Sequence, residues 1–408
     1  SQQLTAPLRS TLVPGRTVNY VLVNNPAINA FVTGENIVFI HSGLVMQAKT
    51  AAELQGVLAH ELAHLAAGHL QQRQAQAASA LVPMLAGAAL GVGAALAGAP
   101  QASVALAMGG QAAGIQTLLN YSRIQEQEAD QRALEALHAA NLSAGGMVGL
   151  FNTLRTQSQL SYDMPPPWLV THPLPAERLA RLQAAVQGEQ NKATINPNEV
   201  NWPRIQAKVA ALTLTPTSTQ RKYRGNTVPE HYARAIALLK QGKLAESEAL
   251  LTPLLKAHPT DAYFLEIQGQ LALARGDIAA AIVSFRNALQ AEPNGLLLRY
   301  QLAEALRANN QALASLAHYR EIARRWPIWS QPWEGMGRAL GQTGDIMGSH
   351  LALTEAALAD GDLVAAKQSL GLAAHYLKQG QTQENLQNKD ENIKWYNILD
   401  ERLNPKQG

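Results

Sequence analysis

The chain has 408 residues, 47% hydrophobic and 15% charged, which is enough apolar material to bury the cores of two or three domains. The formal net charge is only +3 and the basic residues are scattered, with short pairs such as Arg221-Lys222 and Arg324-Arg325, which argues against a nucleic-acid groove. There is no cysteine, which excludes a disulfide framework, a thiolate metal site and a cysteine nucleophile.

The chain starts with Ser rather than Met, and the expectation is a processed or truncated N-terminus whose signal segment lies outside this sequence. Residues 17–24 read as a strand that stops at Asn25-Pro26. Residues 28–32 and 37–41 read as a hairpin turning near Gly34. The expected result is a small antiparallel sheet delivered straight into a helix over 51–70, with a short helix starting at Ser42 between them. A free strand edge there would suit pairing with a peptide chain, although the hairpin also suits plain core packing.

Leu54, Val57, Leu58, Leu62 and Leu65 recur at helical spacing, and the helix they define carries His60-Glu61-x-x-His64. Residues four apart share a helix face, so two imidazoles can hold one Zn²⁺ while Glu61 takes a proton from water bound to it. His69, nine residues after His60, projects to the opposite side of a continuous helix and is not expected to be a ligand unless the helix breaks at Gly68.

Between Arg73 and Arg123 the chain has no charged residue, and residues 80–99 contain eight Ala, four Gly and one Pro. That length could span a bilayer, but so few large apolar residues drive insertion weakly. Residues 74–122 are therefore expected to form a mobile lid or hairpin near the active site, or a surface that touches a membrane interface.

Helical periodicity resumes at Tyr121, where Glu126 and Asp130 share a face and Glu128 points elsewhere. A two-histidine zinc site needs a third protein ligand, and Glu126 is the expected one. Asp130, one turn on, is placed to accept the second ring N–H of a ligating histidine. Taken alone, this acidic stretch would pass for a solvated helix face.

Three prolines lead to Trp168 and then to His172, held between Thr171 and Pro173 in a rigid loop before a new helix. His172 is expected either to steady a developing oxyanion or to occupy the open metal position. Arg178 is expected to pair with Asp130 or Glu128.

Residues 189–229 read as a polar linker with one embedded helix near Trp202 to Leu212. Beyond it lies a 34-residue register: Gly242, Gly276, Asn310 and Gly344, with Pro259, Pro293 and Pro327. Within Ala262–Gly295, Gly269, Ala281, Phe285, Ala288 and Pro293 match the tetratricopeptide consensus, so residues 230–408 are expected to stack into a helical solenoid with a concave binding face.

Together, Asn29-Ala30-Phe31, His60-Glu61-x-x-His64, Glu126-x-x-x-Asp130, Thr171-His172-Pro173 and the repeats resemble gluzincin zinc metallopeptidases of the HtpX and CaaX-processing type carrying C-terminal tetratricopeptide repeats. The resemblance implies a mainly α protein: an α+β zincin-like peptidase domain over 1–188, then the linker and the solenoid. It implies one Zn²⁺ per chain on His60, His64 and Glu126, Glu61 as general base, and His172 as a group facing the metal or the transition state. The strand at Asn29, Ala30 and Phe31 becomes the edge along which substrate lies. It further implies a periplasmic location and a role in outer-membrane protein quality control. Unfolded or misassembled proteins would be the substrates, and assembly proteins would be recruited through the repeats. A chaperone or scaffold with a latent protease domain is the competing reading.

Overall fold

The computed structural model describes residues 2–33, 36–72, 75, 122–160, 167–187, 199–379 and 386–405. The lid expected over 74–122 falls almost wholly outside the described residues. Among those described, no helix is long and apolar enough to cross a membrane. The chain divides into two units, Ser1–Thr213 and Leu214–Gly408.

In the first unit, α1 (Gln2–Leu12) precedes three short strands, β1 (Asn19–Val23), β2 (Ala30–Thr33) and β3 (Ile37–His41). Their order is β1-β3-β2. The expected hairpin is there, with Phe31 opposite Phe39, but β1 runs parallel to β3, so the sheet is mixed rather than antiparallel. The reason lies in the link between β1 and β2, which carries the chain past the slot β3 later fills. Asn25 fixes that link, its N–H donating to Val23 O at 2.8 Å and its carbonyl accepting from Gly43 N–H at 2.9 Å. Central β3 is buried at four of its five positions, as its unbroken apolar run requires. One side of β2 is covered by β3, and no strand pairs with its other side among the described residues.

After α2 (Ser42–Gln47) comes α3 (Ala51–Ala67), the helix that carries the histidines. Thr50 caps its start, its hydroxyl accepting from Glu53 N–H at 3.1 Å. It ends three residues earlier than the periodicity suggests, because Gly68 takes the left-handed conformation at φ 67° and turns the chain away. Nor is it half-exposed as an amphipathic helix would be: every residue from Glu53 to Leu65 is buried. It packs on α5 (Gly145–Leu160), which follows α4 (122–139), and two glycines let the backbones close. A Cβ on Gly56 would lie 2.5 Å from Met147 Cα, and one on Gly146 would lie 2.4 Å from the Ala52 carbonyl. Two short helices complete this side, α6 (Pro167–Thr171) and α7 (Ala176–Ala185).

The helix expected within the linker, α8 (Trp202–Thr213), belongs to the first unit, so the division falls at 213/214 rather than across 189–229. Trp202 is buried and its indole N–H donates to Ala48 O at 3.1 Å, while Gln206 Nε2 donates to Val45 O and Ala48 O at 3.0 and 2.8 Å. The Glu199 carboxylate accepts from Ala51 and Ala52 N–H at 3.0 and 2.9 Å, satisfying free donors at the positive end of α3. The polar composition around this segment concealed its anchoring.

The second unit opens with α9 (Pro216–Lys222) and continues as helix pairs in strict register. The first helices of four pairs start at 228, 262, 296 and 330, and their partners at 244, 278, 312 and 346. Gly242, Gly276, Asn310 and Gly344 all have positive φ, so the 34-residue spacing marks the left-handed residue at which each first helix reverses into its partner. Gly269 fits because a Cβ there would meet the Phe285 ring at 2.5 Å. Two longer helices, Leu363–Gln379 and Leu386–Leu403, close the unit.

Because the Gly56 contact is with backbone, Gly56→Ala is expected to destabilise the first unit by about 1–3 kcal/mol. A lowered Tm in thermal denaturation would register it, and a change within error would mean that α3 and α5 part freely.

Candidate metal centre

His60 and His64 project from one face of α3 with their Nε2 atoms 3.0 Å apart. Glu126, from α4, brings Oε2 to 3.2 Å from His60 Nε2 and Oε1 to 3.3 Å from His64 Nε2. His172 directly follows α6, and its Nδ1 lies 3.0 Å from Glu126 Oε1 and 3.3 Å from His60 Nε2. All four side chains are buried, and each can offer one ligand atom to a common point. A tetrahedral ion with bonds of about 2.0–2.1 Å has donor–donor edges of about 3.3–3.4 Å. The separations of 3.0–3.3 Å, counted to whichever Glu126 oxygen is nearer, are close to that figure, and one atom from each of the four residues lies within 4.8 Å of the others. Nitrogen and oxygen donors without sulfur suit Zn²⁺.

A second layer orients these donors. Asp130 Oδ1 lies 3.1 Å from His60 Nδ1, at ion-pair distance though out of line for a straight hydrogen bond. Arg178 grips Asp130 with two bonds of 2.7 Å, from Nε to Oδ2 and from Nη2 to Oδ1. Its Nη1 reaches Glu126 Oε2 and the Pro173 carbonyl, both at 2.9 Å. Arg178 therefore pairs with Asp130, one of its two expected partners, and with Glu126 in place of Glu128. Glu128 bonds Arg132 instead, and its other oxygen is 3.4 Å from His69 Nε2.

Two residues here stand closer to the site than the sequence reading placed them. His69 lies outside the four-donor group, yet its Nδ1 is 2.8 Å from His64 Nδ1. Gly68 accounts for this, since the left-handed turn voids a projection that assumes a continuous helix. Trp168 donates its indole N–H to Glu61 Oε1 at 3.1 Å and stacks on His172 with centroids 4.9 Å apart. The signal available was its position four residues before His172, one helical turn away, where His172 N–H bonds the Trp168 carbonyl at 2.8 Å.

Glu61, His64, His69 and His172 line a cleft of about 270 Å³ together with Asn29 and Phe31 of the β2 edge. Ala30 does not face it, for its side chain is fully buried in the core, as strand alternation requires.

Without a metal, protons mediate among these groups. Burial pulls the His60 imidazole down, but Asp130 and Glu126 outweigh it and raise it to about 9. Burial takes His64 the other way, to about 3, and charge on His60 adds to that effect against the pull of Glu126. Burial also opposes ionisation of Glu126, yet three surrounding imidazoles hold it far below the usual carboxylate range. Asp130 is likewise lowered against burial, by Arg178 and His60. Of His60 and His64, it is therefore His60, the one that touches both Glu126 and Asp130, that holds a proton.

The sequence profile of peptidase family M48 matches residues 2–186, and a tetratricopeptide-repeat profile matches residues 232–295. The beta-barrel assembly-enhancing protease of Yersinia pestis is 28% identical over 367 residues, 87% of this chain and 71% of the relative. The protein of that name in Escherichia coli K12 is 28% identical over 68% of this chain, but the match spans only 58% of its own length. Metalloprotease YcaL of the same organism is 32% identical over 38% of this chain and 59% of its own length.

Zinc binds neutral imidazole, so at pH 7 its uptake must displace the His60 proton. Affinity is therefore expected to rise with pH up to about 9. Calorimetry in two buffers of different ionisation enthalpy should show about one proton released per zinc; none would place the proton elsewhere. Asp130→Asn is expected to weaken zinc binding about 10–100-fold, read by competition with a chelator.

Proposed function

Since residues 2–186 are a peptidase family M48 domain and tetratricopeptide repeats follow, we propose that the protein is a zinc-dependent endopeptidase acting on unfolded or misassembled proteins. The observation that carries this reading is the convergence of His60, His64, Glu126 and His172 beside the Glu61 carboxylate.

His60, His64 and Glu126 would hold the ion, with Asp130 and Arg178 fixing their orientation. When bound, Zn²⁺ supplies Lewis acidity that activates water and polarises the scissile carbonyl. Glu61 accepts the water proton and hands it to the leaving amine. Trp168 holds Glu61 Oε1 through its indole N–H, leaving the other oxygen for this exchange. An extended peptide lies along the exposed edge of β2, where main-chain pairing orders it and the half-exposed Phe31 ring gives it an apolar contact. His172 Nδ1 lies against His60 and Glu126, where it could be a fourth donor to the ion, and its ring would then have to swing away to admit substrate. Once displaced, its N–H serves the developing oxyanion.

The names of the Yersinia and Escherichia relatives motivate the rest: a periplasmic location, work on outer-membrane β-barrel assembly, and recruitment of clients or assembly proteins by the repeats. A second reading, a scaffold with a latent peptidase, draws on His172, which could fill the fourth position, and on a helical unit that makes up nearly half the chain.

Glu61→Gln is expected to abolish digestion of an unfolded protein while retaining one zinc; cleavage surviving the change would overturn the general-base assignment. Glu126→Gln should lose zinc and Glu128→Gln should keep it, as measured by metal content after gel filtration. In cells, full complementation by the Glu61→Gln chain would favour the scaffold.

A further inference from the structure

A second cavity, of about 730 Å³, opens beside the metal cluster within the first unit. Thr171 and His172 line the cleft already described, whereas Pro173 and Leu174 line this pocket, so one loop borders both. Glu126 also lines it, and whatever occupies it therefore lies next to the metal-binding donors.

Its walls carry Arg123 from α4, Arg155 from α5 and Arg181 from α7. Among the described residues none of the three has an ion-pair partner, in contrast to Arg178, which is fully engaged by Asp130 and Glu126. Glu177 is the one further carboxylate on the lining, so the pocket is net positive. Pro175, the residue capping the N-terminus of α7, also faces it, and the dipole of that helix adds to the field. Leu169 and Leu174 supply apolar contact for an aliphatic stem.

We propose that this pocket recognises a carboxylate of the substrate polypeptide, an Asp or Glu side chain close to the scissile bond, through Arg123, Arg155 and Arg181. The inference rests on the peptidase reading and gives it a substrate preference. Guanidinium forks match a carboxylate in two-point geometry, and the three come from separate helices, so they surround a side chain inserted between them. The polypeptide held at the neighbouring metal cluster is the anion carrier that hydrolysis itself brings to this place.

The probe is a set of fluorescent, unstructured ten-residue peptides bearing a single Glu, or Gln in its place, at each position in turn. Binding is measured to the zinc-loaded full chain carrying Glu61→Gln, and cleavage to the wild type. At one position near the cut the Glu peptide is expected to bind about tenfold more tightly than its Gln twin, with the same preference in kcat/KM. The gap should shrink to less than twofold in Arg155→Gln and in Arg181→Gln, and fade in high salt, while exposed Arg16→Gln keeps it. Equal affinity for the twins at every position overturns the proposal. So does a gap indifferent to Arg155 and Arg181, or binding of phosphatidylglycerol vesicles through these arginines with no gap between peptides. A binding gap without any cleavage by the wild type would uphold the pocket and sink the peptidase reading instead.

Discussion

Three imidazoles and a carboxylate, all buried, aim electron-rich atoms at one another from 3.0 to 3.3 Å. Such an arrangement repels itself unless a cation stands among the donors, and everything around it can be understood as the means of holding it in place. In the metal-free protein the cation is the proton on His60, the one histidine in reach of both Glu126 and Asp130. Arg178 supplies the second positive charge, shared between the same two carboxylates. Each of these two buried carboxylates therefore has a partner, which is the condition for keeping charge inside a fold. A divalent ion held by His60, His64 and Glu126 would replace the proton with a stronger charge where these donors already lie together.

The scaffold explains why those donors can converge. A helix buried over its whole middle cannot shift by a residue without moving its side chains into neighbouring backbones. Gly56 and Gly146 bring α3 and α5 close enough for that constraint to apply, and the Glu199 carboxylate pins the N-terminal end. His60 and His64 are thus fixed from within one element, while Glu126, His172 and Arg178 arrive from three others. Arg178 bonds Asp130, Glu126 and the Pro173 carbonyl at once, joining α4, the His172 loop and α7.

What the sequence revealed were features written in local spacing. A four-residue step puts His60 beside His64 and Glu126 beside Asp130 in any helix, and a 34-residue step in glycine and proline marks a stacked repeat, which the left-handed residues at 242, 276, 310 and 344 obey. Features that depend on a break in regularity stayed hidden. Gly68, visible as a possible break but with nothing local to say that it is one, sends His69 back toward His64 instead of to the far face. The parallel pairing of β1 with β3 depends on where a six-residue link crosses the sheet, which no strand pattern records. Trp202 looks like a lone aromatic in polar sequence until the carbonyl of Ala48 is beneath it.

The same distinction separates the parts of the proposed peptidase site that would perform hydrolysis from those that would admit substrate. Metal donors and their partners lie on long, buried helices or bond directly to them, where geometry is held closely. The β2 edge, the Thr171–Leu174 loop and the arginines of the neighbouring pocket lie at the surface, where side chains can adjust to a chain passing through. His172 belongs to both groups, bonded to Glu126 on one side and stacked on Trp168 on the other. Because Trp168 also holds Glu61, moving the His172 ring disturbs the packing of the residue that positions the proton acceptor. In the proposed peptidase, admission of substrate and readiness of Glu61 would thereby be coupled through a single indole ring.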